Sequence, residues 1–385
     1  MVNISEIVKQ QRETLIKTRR FLHKHPELSG QETNTLAFIK SKLEQFKIPI
    51  VYEGEKLGLV ARLNGPATGR VIAFRADIDA LPLHDEKDVD YASSVTGVMH
   101  ACGHDGHTAI LLGLAEVLST HPELIQGDIL FVFQQHEEMP PGGAKGIVES
   151  GILADVDAIY GLHLWTFTPC GQVGISVQQC MSANELFKIE LTGRGGHGAA
   201  PHKSVDTLLL GAHIIQALQY VVSRNVDPIQ PAVLTVGKFN SGRNFNIIAE
   251  QATLEGSIRY FDDATRDLMR AHIEKTVAGA CASFGAEYSY TYENVCPAVI
   301  NDPTEAERVH SAVQDIDGVK AIAMPPQMIS EDFSYYLREI KGCYFFVGAA
   351  NEEAGIVFPH HHPRFDLDEN ALEIGLEVFL RLCIS

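Results

Sequence analysis

Basic residues never gather into a run long enough to make a patch in this 385-residue chain, where 31 Lys and Arg face 49 Asp and Glu for a net charge of −18. Such a surface repels a phosphate backbone or an anionic bilayer, so neither nucleic acid nor membrane is expected as a partner. Long apolar runs are missing too. The longest, AILLGLAEVL, is interrupted by Glu116, and the opening MVNISEIVKQQRE has no apolar core ahead of a cleavage site. Neither a membrane span nor a signal peptide is therefore expected. Cysteine pairs are lacking as well. The seven thiols (Cys102, Cys170, Cys180, Cys281, Cys296, Cys343 and Cys383) are odd in number and scattered, with no CxxC among them. That favours a reducing, cytoplasmic setting over a disulfide framework. No internal repeat or low-complexity stretch stands out.

What is present is core material. Hydrophobic residues make up 45% and charged ones 21%, the balance of a folded globular chain. The length exceeds what one core ordinarily supports, which predicts two domains. Helical periodicity in ISEIVKQQRETLIKTRRFLHKH and TNTLAFIKSKLEQF gives way to compact apolar runs, LGLVARL, RVIAFRA, DILFVFQQ and DAIYGLHL, separated by helical stretches. Strands alternating with helices predict an α/β layer with a mixed, largely parallel sheet. From about residue 181 the order becomes strand, helix, strand, strand, helix, strand, the split βαβ pattern of an α+β domain. The expected organisation is a first domain over 1–180, an inserted domain over 181–295 and a return to the first over 296–385.

Ligands of such sheets bind beyond the carboxyl ends of the strands. The apolar runs lead into RADID, QQHEE and GLHLW, so Asp77, Asp79, Glu137, Glu138 and His163 are expected to converge there. In VMHACGHDGHTA, Cys102 and His104 are two apart, and in an extended segment their side chains share one side. A thiolate and an imidazole so placed suit zinc or another borderline-soft divalent metal. The alternative is a buried Cys102 followed by a helix start capped by Asp105. In QQHEE, two adjacent carboxylates on a continuing strand would face opposite ways, and one would be buried at a cost unless paired. A dinuclear hydrolase uses both, Glu138 on metal and Glu137 as the base that takes a proton from the attacking water. A lone histidine such as His163 commonly ends as a core residue bonded to a backbone carbonyl; convergence favours a ligand. Three neighbours in PHHHPRF, His360, His361 and His362, cannot all reach one metal, and spacing does not choose among them. In TGRGGHGAAPHKS, His197 sits on a glycine-rich turn where it could donate to a developing oxyanion, while His202 lies just ahead of a helix and is expected to cap or pack.

FRADIDALP, MHACGHDGHTA, QQHEE followed by GGAK, GLHLW, GRGGHGAAPH and HHPRF occur in this order. Together they resemble the metallo-amidohydrolases that include hippurate hydrolase, N-acyl-amino-acid amidohydrolases, N-acetyl-diaminopimelate deacetylase and auxin-conjugate hydrolases. The resemblance runs from about residue 15 to the C-terminus. It implies a zinc-peptidase-like catalytic domain interrupted by a ferredoxin-like lid and dimerisation domain. Two divalent ions per subunit, zinc, manganese, cobalt or nickel, would be held by Cys102, His104, Glu138, His163 and His361, with Cys102 bridging. His361 is chosen because the late ligand of the family lies two before the proline of an HxPxF motif, completed here by Pro363 and Phe365. Asp77 occupies a position where distant relatives place a metal-binding histidine and is not expected to be a ligand. By the same resemblance Asp79 orients a ligand or the base, Glu137 is the general base, and His197 reaches a partner subunit's site in a homodimer. Asn246 and Arg259 resemble substrate-contacting lid positions, although NIIA stands here where the family commonly has NVIP.

The implied activity is metal-dependent hydrolysis of the amide of an N-acyl amino acid, a small-molecule substrate. A dipeptidase or carboxypeptidase using the same centre is the nearest alternative. A non-catalytic metal-binding protein is a third, disfavoured by the presence of Glu137 with every implied ligand.

Overall fold

The structure, a computed structural model, describes residues 3–66 and 69–384. The chain divides into two compact units, one of Met1–Cys180, Val299–Pro326 and Asp332–Ser385, the other of Met181–Ala298 and Gln327–Glu331. Segment 327–331 is expected in the returning part of the first domain. It joins the second unit because the Ser182 N–H donates to the carbonyls of Gln327 and Ile329. The same unit extends to Ala298 rather than 295, since its last long strand runs on to Cys296.

In the first unit, helix α1 (Ile4–Lys24) begins where the Asn3 side chain accepts the Glu6 N–H, and it buries Ile4, Ile7, Val8, Leu15 and Leu22 along one stripe. Helix α2 (Thr33–Gln45) and strands β1 (Ile50–Gly54), β2 (Gly58–Leu63) and β3 (Ile72–Asp77) follow. Helix α3 (His104–Thr120) is buried on nearly every side: residues 109–118 are apolar apart from Glu116, and the first turn buries His104, Asp105 and His107 as well. Strands β4 (Ile129–Gln134), β5 (Ala158–Pro169), β6 (Gln172–Ile175) and β7 (Gln179–Met181), with helix α4 (Ala144–Glu149), complete this segment.

The second unit contains β8 (Ala183–Thr192), β9 (Gly196–His197), α5 (Thr207–Asn225), β10 (Val233–Ser241), β11 (Ile247–Ile248), β12 (Gln251–Tyr260), α6 (Asp263–Phe284) and β13 (Glu287–Cys296). Its four long strands form an antiparallel sheet in the order β10-β12-β8-β13. Along β8 burial alternates residue by residue, so Phe187, Ile189 and Leu191 share one core with Leu210 and Ile214 of α5 and Met269 and Ile273 of α6.

The first unit resumes with β14 (Val299–Ile300), α7 (Pro303–Gln314), β15 (Lys320–Ala323), α8 (Ser334–Glu339), β16 (Gly342–Ala350) and α9 (Asn370–Cys383). Its eight-stranded sheet has the order β1-β2-β4-β3-β5-β16-β6-β15. Strands β4, β3, β5 and β16 run parallel, as do β6 and β15, while β1–β2, β2–β4 and β16–β6 are antiparallel. Phe74, Phe131, Tyr160 and Phe345 from this sheet share a core with residues of α1, α3 and α9. Among the described residues no helix is long and apolar enough to cross a membrane, and no disulfide links any of the seven cysteines.

Two features aim the sheet edge. Asp77 and Gln134 pair in register at the ends of β3 and β4, so the segments that follow leave from the same edge. Gly58 has φ +111°, and a Cβ there would meet the Phe133 carbonyl at 2.0 Å. Only glycine lets β2 close on the end of β4, where Gln135 N donates to the Leu57 carbonyl (3.1 Å) ahead of the turn carrying Glu137 and Glu138.

Candidate metal centre

The stretch around residue 104 folds differently from the extended segment expected. Gly103 adopts a left-handed conformation (φ 99°) as the helix cap, and His104 is already the first residue of α3. Asp105 is therefore no cap. It lies fully buried inside the first turn, where it accepts hydrogen bonds from Arg19 Nε and His23 Nδ1, both at 2.8 Å. Strand β4 likewise stops at Gln134, and His136 takes a left-handed φ of 65°. Glu137 and Glu138 thus leave the sheet instead of pointing to its opposite faces. Strand β5 continues past His163 to Pro169 because β16 accompanies it that far, whereas β3 pairs with it only up to Arg75 opposite Gly161.

Within the first unit these turns bring the expected residues together. Ligating atoms of Cys102, Glu138 and His361 lie within 4.8 Å of one another, as do those of His104, Glu137 and Glu138, and those of Cys102, His163 and His360. Cys102 and Glu138 each belong to two of these groups, which makes the cluster continuous. His163 Nδ1 donates to the Leu164 carbonyl (2.9 Å), leaving Nε2 with its lone pair facing Cys102 Sγ at 3.5 Å. The backbone-bonded histidine and the ligand are therefore compatible readings of one residue. His361 reaches Glu138 Oε1 at 3.3 Å from a left-handed backbone (φ 63°) pinned by its N–H to the Ala101 carbonyl. His360 instead packs between His163, Trp165 and Phe365, and His362 stacks on Phe358.

Asp79 holds two of the group at once. Its Oδ1 lies 3.2 Å from His104 Nδ1, and its Oδ2 accepts the Glu138 N–H at 3.0 Å and the Ser29 hydroxyl at 2.6 Å. Asp77 is bonded by Arg75 Nη1 (2.8 Å) and His107 Nδ1 (2.6 Å).

Electrostatically the cluster is a place for positive charge. Burial opposes ionisation of His104, yet the carboxylates of Asp77, Asp79 and Glu138 raise its pKa to about 10. Burial, reinforced by Glu138, Glu137 and Asp77, pushes the Cys102 thiol well above its usual range. Burial, with His107 and His360 beside it, keeps His163 well below the ordinary histidine value and hence neutral. The buried Glu138 Oε1 has no hydrogen-bond partner, since neither His361 nor His104 approaches it with hydrogen-bond geometry. A carboxylate oxygen buried in that way is costly unless a cation reaches it. Thiol, imidazole and carboxylate donors together fit a borderline divalent metal.

The second unit holds the remaining candidates. His197 is exposed on β9, opposite Ile247 of β11, and its Nδ1 accepts the Ala199 N–H at 3.0 Å. That bond leaves the proton on Nε2, making the outer nitrogen a donor. Asn246 is exposed beside it, its carbonyl accepting the Gly198 N–H at 2.8 Å. Arg259, on β12, is half-buried; Nη1 has no hydrogen-bond partner, and burial lowers the pKa of the guanidinium. His202 lies exposed in a short turn ahead of α5, whose cap is Asp206 rather than this histidine.

Sequence reasoning missed the layer behind the cluster. Arg75 bonds Gln134 Oε1 and Asp332 Oδ1 as well as Asp77, and Arg19 ties Asp105 to Asp366. The available signal was Arg19 itself, a charge on the apolar stripe between Leu15 and Leu22; its partners, far along the chain, left none.

The model of peptidase family M20/M25/M40 matches residues 73–385. YhaA of Bacillus subtilis is 45% identical over 374 residues, covering 97% of this chain and 94% of its own. The N-acyl-L-amino acid amidohydrolase of Geobacillus stearothermophilus is 41% identical over 298 residues, 77% of this chain and 80% of its own. Thermostable carboxypeptidase 2 of Saccharolobus solfataricus is 36% identical over 382 residues, 98% and 96% of the two chains. Among solved structures, YXEP of Bacillus subtilis, a dinuclear metal binding peptidase of the M20 family, superposes with a TM-score of 0.87 at 33% identity, covering 98% of each chain. With this cluster at the sheet edge and these relatives along its whole length, the chain belongs to peptidase family M20/M25/M40 and is a metal-dependent hydrolase of amide bonds.

Proposed function

We propose that the protein hydrolyses the amide bond of N-acyl-L-amino acids with two divalent ions held by Cys102, His104, Glu138, His163 and His361, Cys102 serving both. The observation that carries this reading is the continuous cluster through Cys102 and Glu138, with a buried carboxylate oxygen that no protein group bonds. The N-acyl-L-amino acid amidohydrolase among the relatives supports the substrate class. Zinc, manganese, cobalt and nickel all suit mixed N, O and S donors. Bound there, divalent metal supplies Lewis acidity toward the substrate carbonyl.

The rest is done by side chains. Glu137 takes a proton from the attacking water and delivers it to the leaving nitrogen, so that the C–N bond breaks to a carboxylate and an amine. Asp79 acts as a positioning residue, holding the His104 ring and the Glu138 backbone. His197 donates its Nε2–H to the oxygen that becomes negative as the carbonyl is attacked. Arg259, with Nη1 unmet, suits the carboxylate of the amino acid, and Asn246 lies beside His197 where β9 pairs with β11. The free substrate is a small anion, so its carboxylate needs a local cation such as Arg259 against the net charge of −18. Scattered, unbridged thiols support a cytoplasmic setting.

The second unit is proposed as a lid and dimerisation domain, and the protein as a homodimer in which His197 serves the partner's centre. Mixing inactive Glu137→Ala and His197→Ala proteins under conditions of subunit exchange is then expected to restore turnover, since a hybrid dimer contains one intact site. Exchange without recovery would place His197 in its own chain's site.

A carboxypeptidase or dipeptidase reading is favoured by the thermostable carboxypeptidase among the relatives. The two readings differ in whether the pocket takes an acyl chain or a free α-amino group. Amine release from paired substrates, acetyl- and benzoyl-amino acids against the matching dipeptides, separates them. Higher kcat/KM on the acyl series is expected; turnover of dipeptides alone would reverse the assignment.

A further inference from the structure

We propose that Asp77 and His107 form a positioning relay that fixes the orientation of His163, an inference that rests on the reading of His163 as a metal ligand. Asp77 closes β3 and is fully buried. Arg75 Nη1 donates to its Oδ2 at 2.8 Å, and Arg75 is itself held by Gln134 and Asp332, so this carboxylate is anchored in the sheet. Its other oxygen accepts His107 Nδ1–H at 2.6 Å, and its backbone carbonyl accepts the Thr108 hydroxyl at 3.0 Å. With the proton committed to Nδ1, His107 Nε2 is an acceptor, and it takes the Leu164 N–H at 2.9 Å.

Leu164 is the residue whose carbonyl accepts His163 Nδ1–H. Its peptide groups are thus gripped by two histidines, by His107 at the N–H and by His163 at the carbonyl. Strand pairing gives no substitute on that side, because β3 accompanies β5 only to Gly161. His107 takes over where β3 ends. The rings of His107 and His163 stand edge to face, 4.8 Å between centroids and 74° between planes. If the acceptor at His107 Nε2 is removed, Leu164 N–H is left buried and unbonded. The segment is then free to turn, and His163 Nε2 moves relative to Cys102 Sγ.

Although His107 lies within ligand distance of Asp77 and His104, both of its nitrogens are committed to protein groups. It therefore acts through His163 rather than on metal. Positioning hydrogen bonds behind metal-binding histidines are typically worth 10- to 100-fold in metal affinity.

The test uses Co(II) with the full-length protein, reading affinity by competition with a chelator and geometry by the visible absorption of bound Co(II). His107→Leu is expected to weaken Co(II) about 10- to 100-fold and to shift the absorption bands. His107→Gln, whose amide both donates and accepts, is expected to recover a large part of both. In hydrolysis the leucine variant is expected to lose kcat at saturating metal with little change in KM. A folded His107→Leu with wild-type affinity and spectrum overturns the relay and leaves His107 as packing. Should that variant not fold, His107→Asn decides: its amide reaches Asp77 but falls short of Leu164, so weakened Co(II) supports the relay and unchanged affinity overturns it. Wild-type protein that binds no Co(II) would sink the metal centre itself, a result distinct from wild type and variants binding alike.

Discussion

Replacing Glu137 with glutamine is expected to lower kcat by about 10²- to 10⁴-fold, the usual contribution of a positioned general base, while metal content and fold persist. Glutamine keeps the size of the side chain and can still hydrogen-bond, but it cannot accept and return a proton. Glu137 is half-buried in the turn after β4, and its carboxylate lies within 4.8 Å of ligating atoms of His104 and Glu138. It therefore borders the centre through a residue pair in which only Glu138 also groups with Cys102 and His361. The matching Glu138→Gln variant is expected to lose metal along with turnover. Metal analysis by atomic emission beside steady-state kinetics separates the two. If Glu137→Gln loses metal in the same proportion as activity, Glu137 is a ligand and the base must be sought elsewhere.

Arg19→Ala is expected to destabilise the first unit by about 3–5 kcal/mol, the cost of leaving buried charges without their partner. The Arg19 side chain is wholly buried. It reaches Asp105 at 2.8 Å and Asp366 at 2.7 Å, with Glu369 at 3.4 Å. Asp105 follows His104 at the head of α3, and Asp366 follows the loop carrying His361, so Arg19 fastens two ligand-bearing segments to α1. Loss of metal affinity should accompany the loss of stability. The effect depends on pH in a defined direction. Burial opposes the Asp105 carboxylate, but Arg19, His23 and His100 hold its pKa well below the usual carboxylate range. A folded-state value below the unfolded one stabilises above the unfolded pKa, about 3.9 for Asp, and that contribution fades as pH falls toward the folded value. Urea unfolding at pH 7 should therefore show the full difference between wild type and Arg19→Ala, and the gap should narrow below about pH 4. An equal gap at both pH values would mean that Arg19 contributes by packing alone.

Much of the fold was legible because it rests on periodicity. The apolar runs became β2, β3, β4 and β5, and the change of pattern after residue 180 became the four-stranded sheet with α5 and α6. The convergence of Asp79, Glu138 and His163 followed from the general geometry of parallel strand ends. Local backbone conformation and long-range pairing leave no such periodic mark. A left-handed Gly103 starts α3 at His104, ahead of the cap expected at Asp105, and positive φ at His136 and His361 redirects their neighbours, which no side-chain pattern announces. Strands β6 and β15 are only four residues long, below the length at which alternation can be read. Arg75 and His107 look like ordinary polar residues in sequence, because partners such as Asp332 and Leu164 are brought to them only by the fold. Spacing does not rank His360, His361 and His362; the structure stacks His362 on Phe358 and brings both His360 and His361 within reach of Cys102.

The most direct test of the central claim is a metal titration of the chelator-stripped protein. Amine release from N-acyl amino acids is followed while zinc, manganese or cobalt is returned in measured equivalents. No turnover is expected without metal, recovery should reach its plateau at two ions per chain, and Cys102→Ala should fail to recover at any metal level, since Cys102 belongs to two of the three ligand groups. Full turnover by the stripped protein, or an unaltered plateau in Cys102→Ala, would contradict the claim.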